Sequence, residues 1–164
     1  MRTAVLAIAL LVAGVHHALA QSPGDLIGTW KLVSASSVTA DGKTNDAPYG
    51  LGPTGFLSYS RDGRMTAIIS NGGRAPLSVA DRITAPVDER AQAFATFLAY
   101  AGRYTVTGAT VTHHIEAASI QNWVNGDQLR FFRLEGDRLT VRTPSTYSSG
   151  GQTQTIELVW ERIK

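Results

Sequence analysis

The 164-residue sequence contains no cysteine and only four histidines. The missing cysteine excludes disulfide bonds, thiolate metal sites, thiol nucleophiles and a lipid-modified N-terminal cysteine, so packing alone must stabilise the fold. Two of the histidines lie in the N-terminal segment described below, which leaves His113 and His114. A transition-metal site would then need carboxylates such as Glu116 as ligands. We therefore expect neither a metal nor another cofactor.

The chain also has little excess of either charge. Lys and Arg together number 15 and Asp and Glu 13, and no basic cluster of five or more residues occurs. A nucleic-acid-binding surface or an anionic-membrane surface is therefore not expected. No apolar run reaches the roughly 20 residues that a membrane-spanning helix needs.

The N-terminus has the three parts of a secretory signal peptide. Arg2 supplies the positive charge, residues 4–15 are almost wholly apolar, and Ala18-Leu19-Ala20 is a small-x-small cleavage motif. The predicted organisation is a signal peptide over residues 1–20, a linker over 21–26 and one domain over 27–164. Export to the periplasm or the medium follows from that interpretation; a retained N-terminal anchor is the alternative.

The remainder of the chain has short alternating segments separated by turn residues, which is typical of an all-β sandwich or barrel. Tight turns are predicted at Gly63, Gly108 and Gly136, where hairpins need a positive φ. Eight hairpin-connected strands close into an antiparallel up-and-down barrel without edges. The predicted strands cover residues 28–38, 55–61, 64–70, 102–107, 110–117, 127–134, 137–143 and 153–162.

One segment has helical rather than strand periodicity. Between residues 84 and 101, apolar side chains recur at spacings of three and four. Thr84 is the expected N-cap, and Gly102 is expected to end the helix. The pattern predicts a core-docked helix between the third and fourth strands.

The two ends of the domain carry residues suited to closing a barrel. Gly28-Thr29-Trp30 begins the first strand, and Trp160-Glu161-Arg162 ends the last one. First and last strands are neighbours in a closed barrel, so Arg162 is expected to lie over the Trp30 ring as a cation–π partner. Gly28 permits close backbone approach there.

These motifs resemble the bacterial lipocalin-like domain family. The resemblance extends through Tyr59-Ser60-Arg61-Asp62-Gly63, Tyr100-Ala101-Gly102-Arg103-Tyr104 and Val111-Thr112-His113-His114-Ile115-Glu116 to Leu158-Val159-Trp160-Glu161-Arg162, in order along the chain. It implies a calycin-type barrel with an internal ligand cavity. It implies no particular activity, and the other short motifs of the transport lipocalins are missing.

The strand around His113 has two possible orientations, because neighbouring strand residues face opposite sides of a sheet and either set could face the lumen. If Val111, His113 and Ile115 face inward, His113 is a polar group in an apolar lumen. If the reverse holds, His114 and Glu116 share the lumen as an acid–base pair. The first orientation buries fewer charges and is favoured.

Further candidates for the lumen lie on other strands. Either Arg130 or Arg133 could face inward, where Glu116 or a ligand carboxylate would be its partner; the alternative is an outward, solvated arginine. The other residues predicted to line the site are apolar or aromatic: Tyr59, Met65, Tyr104, Trp123 and Phe131.

The leading hypothesis is an exported barrel that binds a small, mostly apolar molecule in its lumen. The molecule could be neutral or carry an acidic group. The alternative is a small-molecule isomerase, cyclase or hydrolase that uses His114 and Glu116. A third hypothesis is a filled barrel used only for contact with another protein.

Overall fold

A computed structural model describes residues 23–147 and 151–164, so the predicted signal peptide and its cleavage site lie outside the described residues. The described ranges form ten strands, one α-helix and two short 3-10 helices. The strands are β1 (Gly28–Thr39), β2 (Thr44–Asn45), β3 (Thr54–Tyr59), β4 (Arg64–Ser70), β5 (Phe97–Thr107), β6 (Thr110–Ala118), β7 (Asp127–Glu135), β8 (Arg138–Arg142), β9 (Thr146–Tyr147) and β10 (Thr153–Arg162). The helix α1 is Val87–Ala95, and the 3-10 helices are Pro23–Leu26 and Gln121–Trp123.

The eight long strands form a closed antiparallel barrel, which confirms the predicted fold class. Strands β3 to β8 pair in chain order, and β10 pairs with β8 on one side and with β1 on the other. Since β1 also pairs with β3, the sheet closes on itself. The two-residue strands β2 and β9 only extend the rim beside β1 and β10.

The helix differs from its prediction in extent, capping and packing. It ends at Ala95, Pro86 rather than Thr84 is its N-cap, and none of its residues is buried. It lies between β4 and β5 rather than between the third and fourth strands of the prediction. The numbers differ because the short strand β2 was not predicted. Its apolar residues Val87 and Phe94 are 68% and 59% exposed, so the prediction of a core-docked helix is wrong.

Residues 97–101 belong to β5 because all five are apolar or aromatic, which a strand accommodates as well as a helix does. Pairing with β4 provides hydrogen bonds along the whole segment and turns Tyr100 into the barrel. Gly102 does not end a helix, as predicted, but lies in β5 at a β-bulge opposite β6. A Cβ there would lie 1.9 Å from the carbonyl oxygen of His114, so this close approach requires glycine.

The N-terminal end of the barrel is closed by packing around Trp30. Trp30 is fully buried and donates its indole N–H to the carbonyl of Leu26, 2.9 Å away. Leu26 is itself fully buried, so the 3-10 helix Pro23–Leu26, which lies within the predicted linker, is anchored against the barrel at its last residue. The apolar core extends from there through side chains of all eight long strands, including Leu57, Met65, Val111, Phe132, Leu139 and Trp160.

No helix in the described part of the chain is long and apolar enough to cross a membrane.

Candidate functional site

The barrel lumen contains a cavity of about 550 Å³. Every long strand except β1 contributes to its wall, and α1, the loop before β3 and the second 3-10 helix contribute as well. Much of the wall is apolar, with Leu57, Ala67, Ile69, Phe97, Ile156 and Leu158 among its residues. A mostly apolar wall of this size, with a few polar groups, is typical of small-molecule sites.

His113 is the central polar group of this cavity. Alternation along β6 buries Val111, His113 and Ile115 and leaves Glu116 exposed. The His113 ring is hydrogen-bonded on both sides, with Nε2 2.7 Å from the Tyr59 hydroxyl and Nδ1 3.2 Å from the Tyr100 hydroxyl. Burial, followed by the charge of Arg130, lowers the pKa of His113 to about 3. The imidazole is therefore neutral at physiological pH.

Arg130 brings a positive charge into the same cavity. It is only 7% exposed, and its neighbours Leu129 and Phe131 face outward. Its Nη1 donates to the carbonyl of Leu129 at 2.7 Å, and its Nη2 donates to Oε1 of Gln128 at 3.2 Å. Among the residues that the structure describes, no ion pair involves Arg130, and no aspartate or glutamate lines the cavity.

Aromatic residues complete the wall. Tyr100 packs edge-on against Trp123, with ring centres 5.7 Å apart. Burial raises the pKa of the Tyr49 and Tyr100 hydroxyls, so both stay protonated. Trp160 is almost fully buried, and its indole N–H has no hydrogen-bond partner within the described ranges.

Of the residues predicted to line the site, the structure brings His113, Trp123 and Arg130 together around the cavity. Tyr59 and Met65 are buried but do not line the cavity. The Tyr59 hydroxyl is hydrogen-bonded to His113, which does line it. The remaining two lie elsewhere. Tyr104 packs beside Tyr59 and donates to the carbonyl of Ser60, while Phe131 is on the outer face against Arg142.

The suggested acid–base pair does not form in the structure. His114 faces outward, with Nδ1 2.7 Å from Asp127 and Nε2 3.0 Å from the Thr105 hydroxyl. Glu116 is also exposed, and its ion-pair partners are Arg64 and Arg103. The two side chains therefore have separate partners on the outer face of the barrel and do not form a pair in the lumen. Among the described residues, no group of three His, Asp or Glu side chains is placed to hold a metal ion.

The polar and aromatic wall residues that sequence reasoning missed include Tyr49, Tyr100, Gln128 and Trp160. Tyr100 was assigned to the helix and Tyr49 to a loop. Gln128 and Trp160 could have been predicted from strand alternation. Each lies two residues from a buried residue of its own strand, Arg130 and Leu158 respectively, and so faces the same side of the sheet.

Comparison with known proteins agrees with the architecture. The sequence profile of a family described as lipocalin-like domain matches residues 27–163. A curated relative, the 4'-hydroxy-3'-methoxypropiophenone carrier protein of Aspergillus oryzae, is 31% identical over 84 residues, which covers 46% of this chain and 76% of the relative.

Among solved structures, a protein from Bacteroides eggerthii aligns with 84% of this chain and 99% of its own chain. Its TM-score is 0.43 and its sequence identity 12%.

Proposed function

This chain belongs to the lipocalin-like domain family, and on that premise we propose that it binds and carries a small, mostly apolar molecule in its barrel lumen. The observation that carries this proposal is the cavity of about 550 Å³, which lies within the size range of small-molecule pockets. An eight-stranded barrel either fills its interior with side chains or holds one small ligand. The cavity supports the second case.

The named carrier relative supports the same function and suggests a ligand class. Its name specifies an aromatic ketone with hydroxyl and methoxy substituents, and it shares 31% identity with this chain over 84 residues. The wall of the cavity here includes Tyr49, Tyr100 and Trp123, which suit the flat faces of an aromatic ring. A small substituted aromatic compound is therefore the ligand class that we propose.

We further propose that the protein acts outside the cytoplasm, on the basis of the N-terminal sequence. Arg2, the apolar run over residues 4–15 and Ala18-Leu19-Ala20 support cleavage after Ala20. Cell fractionation and N-terminal sequencing of the exported protein test this: the expected first residue is Gln21. An N-terminus at Met1 in the cytoplasmic fraction would contradict it.

Titration with the neutral fluorescent probe N-phenyl-1-naphthylamine tests ligand binding, together with mass spectrometry of an organic extract of the purified protein. Ala67 lines the cavity, whereas its neighbour Thr66 faces outward on the same strand. We expect Ala67→Leu to weaken probe binding by about tenfold or more, because the added methyl groups occupy ligand space. The matched control Thr66→Leu should bind as the unmodified protein does. Absence of probe uptake and of any extractable molecule would refute the proposed function.

A further inference from the structure

We propose that the lumen contains a subsite for one ionised oxygen of the ligand, a carboxylate or a phenolate, held by Arg130 and the hydroxyl of Tyr100. The proposal deepens the proposed function and rests on it. It specifies an organic acid with an apolar body, and it identifies the residues that recognise the acidic group.

The first argument is the electrostatic state of Arg130. A guanidinium has five N–H donors and a permanent charge. The hydrogen bonds that the Arg130 side chain donates go to neutral oxygens of its own strand, those of Leu129 and Gln128. A buried charge is costly unless an opposite charge compensates it. No described aspartate or glutamate lines the cavity, so a ligand anion is the partner that fits.

The second argument follows from hydrogen bonding around His113. A neutral imidazole has one N–H donor and one acceptor nitrogen. Within the described ranges, the buried Tyr59 hydroxyl has no partner other than Nε2 of His113. If Nε2 carried the proton, the Tyr59 hydrogen would be buried without an acceptor, which folded proteins avoid. Tyr59 is therefore the donor to Nε2, and the imidazole proton is on Nδ1.

This tautomer determines what Tyr100 can do. With the proton on Nδ1, His113 donates to the Tyr100 oxygen, 3.2 Å away. The Tyr100 hydrogen is then not used by His113 and remains available to the cavity that Tyr100 lines. Arg130 lines the same cavity, and its positive charge acts on this hydroxyl. A charged donor and a neutral donor therefore face one region, as recognition of an oxyanion requires.

The rest of the wall restricts the ligand to an amphipathic acid. Leu57, Ile69, Ile156 and Leu158 offer apolar surface and no charge. The unpartnered indole N–H of Trp160, which lines the same cavity, provides one further donor for a second oxygen on the ligand. An inorganic anion would leave the apolar wall without a partner, and a hydrocarbon would leave Arg130 without one.

Two matched ligand pairs test the subsite by displacement of N-phenyl-1-naphthylamine. In the carboxylate arm, 4-propylbenzoate is compared with the neutral 4-propylbenzamide. In the phenolate arm, 4-hydroxyacetophenone is compared with 4-methoxyacetophenone at pH values below and above the pKa of the phenol. We expect at least one anion to bind about 10- to 100-fold more tightly than its neutral counterpart, the range typical of a charge-assisted hydrogen-bonded contact.

The variants Arg130→Met and Arg133→Met provide the matched test. Arg133 is on the same strand but exposed, and it pairs with Glu135 at 3.1 Å. We expect Arg130→Met to reduce the ratio of anion affinity to neutral-ligand affinity to about one, and Arg133→Met to retain both the full ratio and the affinity for the neutral probe. Tyr100→Phe should reduce the same ratio severalfold.

The outcomes separate this subsite from the proposed function. A preference for the anion that Arg130→Met abolishes supports the subsite, and the arm in which it appears identifies carboxylate or phenolate. Probe uptake without any preference for the anion, or with a preference that survives Arg130→Met, overturns the subsite alone. Failure of the unmodified protein to bind the probe and all four ligands refutes both proposals.

Discussion

The guanidinium carbon of Arg162 lies 4.0 Å from the centre of the Trp30 ring, at the register position where β10 meets β1 and the barrel closes. The same guanidinium donates to the carbonyl of Ile27 at 2.6 Å and to the carbonyl of Asp25 at 2.8 Å. One side chain thus connects the last strand, the first strand and the 3-10 helix before it. Gly28 beside it has a φ of 137°, which residues with a side chain rarely adopt, and a Cβ there would also lie 2.7 Å from Nη1 of Arg162.

The Arg162 contacts predict a stability cost for even a conservative change. Arg162→Lys retains the positive charge but loses the planar fork that reaches two carbonyls and stacks on Trp30. We expect a decrease of about 2–3 kcal/mol in the free energy of unfolding, measured by urea denaturation. Lys164→Ala is the control, because Lys164 is exposed and forms only a surface ion pair with Asp137. Equal stability of the two variants would contradict the closing role of Arg162.

The bulge at Gly102 predicts an intolerant position. A Cβ at Gly102 would overlap the carbonyl oxygen of His114, so Gly102→Ala must separate β5 from β6. We expect a loss of more than about 3 kcal/mol of stability or failure to fold. Gly108 has a φ of 57° and open space around it, so Gly108→Asn should cost less than about 1 kcal/mol. A mild effect of Gly102→Ala in thermal unfolding would refute the steric argument.

Burial of neutral His113 predicts acid sensitivity. The unfolded chain protonates this imidazole near pH 6.5, whereas the folded protein resists protonation until about pH 3. Unfolding therefore takes up a proton between these values, so this contribution to stability decreases as the pH falls from 6.5 towards 3. The slope is up to about 1.4 kcal/mol per pH unit.

Urea denaturation at several pH values between 7.5 and 4 measures the contribution of His113. His113→Gln is expected to be less stable at pH 7 because it disrupts the contacts with Tyr59 and Tyr100, but it should lack this component of the pH dependence. His114→Gln should retain it, because His114 lies on the outer face. A pH profile of His113→Gln parallel to that of the unmodified protein would contradict a neutral, buried His113.

The outer positions of His114 and Glu116 predict that neither contributes to the lumen. Glu116→Gln and His114→Gln should each change the affinity for N-phenyl-1-naphthylamine by less than about twofold. Their effects on stability should stay within about 1 kcal/mol, since exposed ion pairs contribute little. A large loss of probe binding in either variant would show that the cavity extends to this face.

The barrel could be predicted from the sequence because its evidence is local. Alternation over five to eleven residues and turn glycines such as Gly63 and Gly136 depend only on neighbours in the chain. The strand that begins at Phe97 was the exception. Its continuous apolar run is compatible with both a helix and a strand, and only pairing with β4 and β6 distinguishes the two.

The site could be predicted only in part because orientation is not a local property. Phe131 and Phe132 are adjacent and equally apolar, and only Phe132 is buried. His113 and His114 present the same problem. In each pair, the register of the whole strand and its twist in the closed sheet decide which side chain faces inward.

By itself the sequence determined an antiparallel barrel, its closing ends at Trp30 and Arg162, and a short set of polar residues with a potential role in the lumen. Those features follow from hydrophobic alternation and turn chemistry, which act over a few residues. The tertiary structure alone decided that Tyr59, His113 and Tyr100 form one hydrogen-bonded group beside a cavity that Arg130 also lines. These residues come from β3, β5, β6 and β7, and only closure of the sheet brings their side chains together.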